Sequence, residues 1–128
     1  MDQQRVEAEL PGDLRAPRMA RTWMAEQLAP VGLAPADCEA ALLLVSELVT
    51  NVVTHTASAP TLILETRSDR ILVEVADTDA APAAIREDDA AAVGGWGLRI
   101  VDEVASDWGV RSGDGAKVVW FTIERDRS

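Results

Sequence analysis

The stretch Leu42–Thr56, LLLVSELVTNVVTHT, constrains the fold more than any other part of the chain. It is too apolar for a surface helix, yet Glu47, Asn51 and His55 interrupt it at four-residue steps. On an α-helix that spacing stacks the three polar side chains along one narrow stripe. Leu44, Leu48 and Val52, with Val45 and Val49, form the apolar flank that buries the helix. A carboxylate, a carboxamide and an imidazole aligned on a buried helix need partners, because an unpaired buried polar group costs about 1–3 kcal/mol. Those partners are either other protein groups or a ligand, and the helix alone leaves both open.

The flanking segments define what such a helix packs against. Val6–Leu10 alternates apolar and polar and predicts a short edge strand closed by Pro11-Gly12. Asp13 is placed to cap a helix running to about Ala29, with Met19, Ala20, Trp23 and Leu28 on its apolar side and Pro30 and Gly32 stopping it. Its arginines, Arg15, Arg18 and Arg21, gather near its start and suit either a solvated face or a docking surface. Pro35 opens the long helix, carried to about Thr54. Thr61–Arg67 and Ile71–Ala76 then read as a hairpin around Ser68-Asp69-Arg70, with Ile71, Val73 and Val75 on one face. Asp77–Val93, rich in acid and alanine, reads as a loop, and Gly94-Gly95-Trp96-Gly97 leads into a helix striped by Leu98, Val101, Val104 and Ala105. Trp108–Arg111 and Lys117–Glu124 close the chain as a second hairpin. Two hairpins favour an antiparallel sheet with the helices on one face. The expected fold is a two-layer α+β sandwich, a largely antiparallel sheet covered on one face by three helices, as one domain over residues 1–128.

Charge excludes several partners. The formal net charge of −10 and pI near 4.4 argue against nucleic acid, whose binding is dominated by phosphate neutralisation, and against an anionic membrane surface. An acidic protein still binds a nucleotide when a divalent cation stands between the two. Cys38 is the single cysteine, so no internal disulfide forms; flanked by Asp37 and Glu39, it suits packing better than nucleophilic work. The N-terminus lacks an apolar signal-peptide core and no apolar run approaches ~18 residues, so a soluble cytoplasmic protein is expected.

Two further features carry chemistry. Gly94, Gly95 and Gly97 stand just before a helix, where glycines admit an anion close to the backbone and the helix start offers free N–H groups. They equally suit an ordinary loop-to-helix junction. Asp77 ends a hydrophobic strand, where a carboxylate either accepts from an exocyclic amine or shapes a turn.

Taken in order, ELVTNVVTH (Glu47–His55), VEVADTDAAP (Val73–Pro82) and GGWGLRIVDEV (Gly94–Val104) resemble the N, G1 and G2 boxes of the GHKL ATPase/kinase superfamily. The chain is most similar to its anti-sigma-factor serine/threonine kinase branch, typified by RsbW and SpoIIAB, and the resemblance covers nearly the whole chain. It implies the Bergerat ATP-binding fold, with ATP and Mg²⁺ as cofactors. Asn51 would coordinate Mg²⁺ bridging the phosphates, and Glu47 would act as general base toward an incoming serine hydroxyl. Asp77 would bind the adenine amine, Gly95, Gly97 and Leu98 would lie along the nucleotide, and Asp79–Val93 would form a lid. His55 is implied only to be near it, as a structural hydrogen bonder or a ligand contact. Trp96 would pack over the nucleotide, against a partner, or within the fold. The implied partners are a sigma factor and a STAS-type anti-sigma-factor antagonist, with homodimers possible in this branch.

The chain also departs from the family pattern. Asp77 is followed by Thr78, Asp79, Ala80 and Ala81, so the two glycines usual in the G1 box are missing. Val118 aligns where the family commonly has a threonine that assists adenine binding. Losing one such hydrogen bond costs about 0.5–1.5 kcal/mol, up to roughly tenfold in affinity. The sequence therefore predicts weakened ATP binding. Two functions remain in play: an ATP-dependent protein kinase that regulates a sigma factor, and a non-catalytic interaction module with weak or no ATP binding.

Overall fold

The computed structural model describes residues 3–55, 58–77, 105–113 and 116–125. In chain order these form β1 (Gln4–Glu9), α1 (Ala16–Leu28), a 3₁₀ turn (Ala29–Val31), α2 (Pro35–His55), β2 (Thr61–Thr66), β3 (Arg70–Asp77), β4 (Asp107–Gly113) and β5 (Ala116–Glu124). The strands pair in the order β1-β2-β3-β5-β4, with every neighbouring pair antiparallel. The α+β class, the antiparallel sheet and the edge position of β1 match the sequence expectation. Of the three helices expected, two lie among the described residues. The third, from Leu98, and the loop after Asp77 fall at 78–104, outside them. No described helix is long and apolar enough to cross a membrane.

Alternation fixes which face of the sheet is buried. Leu62 and Leu64, Ile71, Val73 and Val75, and Val119, Phe121 and Ile123 share one face, each no more than 8% exposed. Ala16, Ala20, Met24 and Leu28 of α1 join them in one cluster, with Leu44, Val45, Leu48 and Val49 of α2. Fully burying a large aliphatic side chain contributes about 1.5–3 kcal/mol, so this layer contact is the main stabilising element. Met19, expected on the apolar side of α1, is 45% exposed, while Met24 is fully buried. The buried stripe repeats every four residues from Ala16, and Met19 stands one residue, about 100°, off it.

Asp13 also differs from expectation. Arg15 occupies the cap position of α1 and makes no side-chain cap bond. Asp13 lies two residues earlier, where its Oδ1 accepts from the Arg15 backbone N–H at 2.9 Å and its Oδ2 from the Arg15 Nη2 at 2.9 Å. The hydrogen-bonded Arg15 guanidinium holds the Asp13 carboxyl below the usual carboxylate range. At the far end, the 3₁₀ turn closes on Gly32, whose φ of 79° is a left-handed conformation that glycine adopts without a Cβ penalty. The Arg67 N–H donates to the Arg70 carbonyl at 2.9 Å, leaving Ser68-Asp69 as a two-residue hairpin loop. Arg125 ties this end together, donating from Nη1 to the Arg67 carbonyl at 2.6 Å and from Nη2 to the Val31 carbonyl at 2.9 Å.

The opposite face of the sheet is not simply solvated. Glu74, at the centre of β3, is 4% exposed. Arg5 from β1 reaches it at 3.5 Å, and Arg111 from β4 forms a second ion pair with its other oxygen. Guanidinium groups from both edge strands therefore converge on one carboxylate of the central strand. Gly109 makes room beside them: a Cβ there would stand 2.7 Å from the Trp120 ring. Both arginines are about half exposed, so their charge stays solvated when the carboxylate is removed, and the loss is that of charged hydrogen bonds. Glu74→Ala is expected to cost about 1–3 kcal/mol, seen as a lower urea midpoint with an unchanged slope. An unmoved midpoint would show that the network adds nothing to stability.

Candidate functional site

The polar stripe on α2 stands where the buried flank meets solvent. Leu44, Val45, Leu48 and Val49 point inward, between 0% and 4% exposed, whereas Glu47 and Asn51 are half-buried. The neighbouring hydroxyls are turned back onto the helix: Thr50 Oγ1 donates to the Ser46 carbonyl at 2.6 Å, and Thr54 Oγ1 to the Thr50 carbonyl. Glu47 makes no hydrogen bond or ion pair among the described residues, while Asn51 is engaged within the structure. His55 is the last residue of α2. Glu47 and Asn51 of the polar stripe are thus partly open to solvent. The helix satisfies its apolar flank in the core and still offers a carboxylate and a carboxamide one turn apart.

Asp77 ends β3 and is 2% exposed. Strand alternation puts it on the face of Ile71, Val73 and Val75, the face the helices cover. Its Oδ2 is a buried oxygen that accepts no hydrogen bond among the described residues, although the residue is engaged through other interactions. The chain leaves α2 at His55 and re-enters the sheet at Thr61, and Thr61 pairs with Ala76 beside Asp77. The last turns of α2, which carry Asn51, and the end of β3, which carries Asp77, therefore lie at the same end of the sheet. Topology thus brings Asn51 and Asp77, two of the residues the sequence singled out, to one end of the sheet.

The register corrects one assignment. Val118 pairs with Ala76, so it lies on the outer face of the sheet, away from the face of Asp77. The residue directly opposite Asp77 is Lys117. Opposed residues in an antiparallel pair have Cβ atoms about 4.5–5.5 Å apart on one face, which makes Lys117 the cation nearest this carboxylate in the sheet. Sequence reasoning passed over it, although the alternation with inward-facing Val119, Phe121 and Ile123 already put Lys117 on their side. Gly95, Gly97 and Leu98, with Asp79 and Trp96, lie outside the described residues.

One side-chain oxygen on α2, that of Asn51, bears on metal binding. Among the described residues no group of three or more His, Cys, Asp or Glu side chains is arranged to hold an ion. A carboxamide oxygen at Asn51 is a hard donor, suited to Mg²⁺, which binds through one or two protein oxygens together with water and phosphate. The residues present therefore fit a Mg²⁺ that arrives with a phosphate ligand.

Comparison with known proteins bears on the family and the fold. The family model described as histidine kinase-like ATPase domain matches residues 10–123. Among solved structures, the RsbU and RsbW domains of Rv1364c from Mycobacterium tuberculosis match with a TM-score of 0.72 at 20% identity. The match covers 95% of this chain and 32% of that one, so the chain spans about a third of that structure's length. At this identity the likeness is one of fold. A comparison with curated proteins finds no match. The sheet register generates a direct test, read by calorimetry with Mg-ATP. Val118→Thr should leave affinity within about twofold of the parent, because it alters the outer face, whereas Lys117→Ala should change it more. A large gain from Val118→Thr would show that the register near Asp77 is shifted by one residue.

Proposed function

We infer the function from one premise: the chain belongs to the histidine kinase-like ATPase family. On that premise we propose an ATP-binding anti-sigma-factor-like regulator that acts as a protein serine/threonine kinase on an anti-sigma-factor antagonist. The observation that carries the reading is the half-open pair on α2, with Glu47 and Asn51 one turn apart at the end of the fold where Asp77 is buried. Phosphoryl transfer is mostly positioning and charge stabilisation, so the nucleophile and the metal-bound phosphate must approach from neighbouring points on a rigid support. Adjacent turns of one buried helix supply that support.

Each residue then has a chemical task. Glu47 accepts the proton of the substrate serine hydroxyl as its oxygen attacks the γ-phosphorus, and ADP departs with the electron pair of the broken P–O bond. A carboxylate with no competing partner among the described residues suits this task. Asn51 would hold a Mg²⁺ through its carboxamide oxygen, and the ion would supply neutralisation of the phosphate charges. Asp77 accepts a hydrogen bond from the exocyclic amine of adenine, and the family resemblance assigns Gly95, Gly97 and Leu98, which lie outside the described residues, to nucleotide binding. The fold likeness to a structure that contains an RsbW domain supports the anti-sigma branch, with a sigma factor and a STAS-type antagonist as partners in the cytoplasm and a homodimer as a possible assembly.

A second reading, a non-catalytic interaction module, is favoured by Lys117 opposite Asp77 and by Asp79 and Ala81 in place of glycines. Calorimetry with Mg-ATP followed by a phosphotransfer assay separates the two. The kinase reading expects nucleotide binding and transfer to an antagonist; binding without transfer to a cognate antagonist selects an ATP-responsive module, and no binding at millimolar-order nucleotide removes the kinase and leaves only a nucleotide-independent module. Glu47→Ala is expected to keep ATP affinity and lower transfer by a factor on the order of 10²–10⁴. Asn51→Ala is expected to abolish Mg²⁺-dependent binding, and an unchanged affinity would overturn the metal assignment.

A further inference from the structure

The sequence holds 12 lysines and arginines, and only Lys117 is a lysine. Its position is as particular as its identity. Arg5 and Arg111 meet Glu74 on the outer face of the sheet. Lys117 instead stands on the helix-covered face, in alternation with Val119, Phe121 and Ile123, and is half-buried. Directly across the β3–β5 ladder is Asp77, 2% exposed. A carboxylate and an ammonium therefore project side by side from the end of the sheet where the base is assigned. Both residues are engaged within the structure, but a carboxylate with two oxygens and an ammonium with three N–H groups keep capacity for a ligand.

The second group changes what the first can read. A carboxylate alone only accepts, so it selects a base that offers a donor, such as the adenine amine. The adenine edge presents that amine beside the N1 acceptor. The guanine edge presents the O6 acceptor beside the N1–H donor. An acceptor and a donor side by side satisfy either edge: Asp77 takes the adenine amine or the guanine N1–H, and Lys117 meets N1 or O6. Lysine suits the task better than arginine, because a compact ammonium turns its donors freely whereas a guanidinium fork is fixed. Without the ammonium, guanine O6 would face a carboxylate, acceptor against acceptor, in a place too buried for water to repair the mismatch.

We propose that Lys117 and Asp77 together read the purine edge and admit guanosine triphosphate to the nucleotide site alongside ATP. The proposal rests on the nucleotide-binding part of the reading above and needs no kinase activity. Guanine gains further from its 2-amine, which offers a donor to the second carboxylate oxygen of Asp77.

Calorimetry on the full chain with Mg-ATP, Mg-GTP and Mg-ITP tests this, and the ratio of affinities is the readout. Triphosphate and metal are common to the three ligands and cancel in the ratio. The parent is expected to bind GTP within about tenfold of ATP, with ITP weaker than GTP for want of the 2-amine. Lys117→Met should weaken GTP by at least about tenfold more than ATP, which keeps its amine on Asp77. Val118→Met, the neighbouring change on the outer face, should leave the ratio within about twofold. Protein labelled with ¹³C-lysine contains one labelled side chain, and its signal should shift as GTP is added. ATP binding with GTP more than about tenfold weaker in the parent would overturn the proposal and leave the ATP site standing. Equal loss of both nucleotides in Lys117→Met would do the same, by assigning Lys117 to the phosphates. A gain of both would also overturn it, by showing that Lys117 only blocks Asp77. Binding of no nucleotide would defeat the nucleotide reading together with the proposal, whereas GTP binding without phosphotransfer would defeat the kinase alone.

Discussion

The fold depends on α2 serving two environments at once. One flank of the helix must be desolvated against the sheet, and Leu44, Val45, Leu48 and Val49 accomplish this at 4% exposure or less. The adjoining stripe must stay open enough for Glu47 and Asn51 to keep their polarity without a desolvation penalty. A four-residue polar period within an apolar sequence produces that division, because 3.6 residues per turn keep the two stripes side by side along the helix. The core thereby also acts as the positioning device for the site.

The two faces of the sheet follow different physics. Among the described strand residues the helix-covered face is apolar along its length and carries charged groups at one end, at Asp77 and Lys117. The outer face has no helix among the described residues and instead closes over Glu74 with arginines from both edge strands. The first arrangement puts a buried carboxylate at the end of the sheet face that the helices cover. The second joins strands that are not hydrogen-bonded neighbours, since β1 and β4 lie at opposite edges of the sheet.

Much of this was legible in the sequence because it rests on periodicity. The strands of both hairpins, the stop at Gly32 and the apolar flank of α2 follow from two-residue and four-residue spacing alone. The misses have identifiable causes. Met19 and Met24 are both apolar within one helix, and only the phase set by Ala16 and Ala20 distinguishes them. Asp13 is a good capping residue, but its arginine partner two residues later draws its carboxylate away from the cap position. Val118 and Lys117 exchange roles when the register changes by one residue, and an isolated strand carries no register. The convergence of Arg5 and Arg111 on Glu74 was illegible because it spans residues distant in sequence. At the candidate site, the pairing of Glu47 with Asn51 was readable from one helix, whereas their placement at the same end as Asp77 required the topology.

The central claim is that Glu47, Asn51 and Asp77 belong to one nucleotide site on the helix-covered side of the sheet. Titrating Mg-ATP into isotopically labelled protein and following the resonances of these residues tests it most directly. The account predicts that the Asn51 side-chain amide and the Asp77 backbone amide shift together with one dissociation constant, while Arg111 and the Trp120 indole on the outer face stay still. Shifts confined to the outer face, or an Asn51 that titrates independently of Asp77, would contradict it.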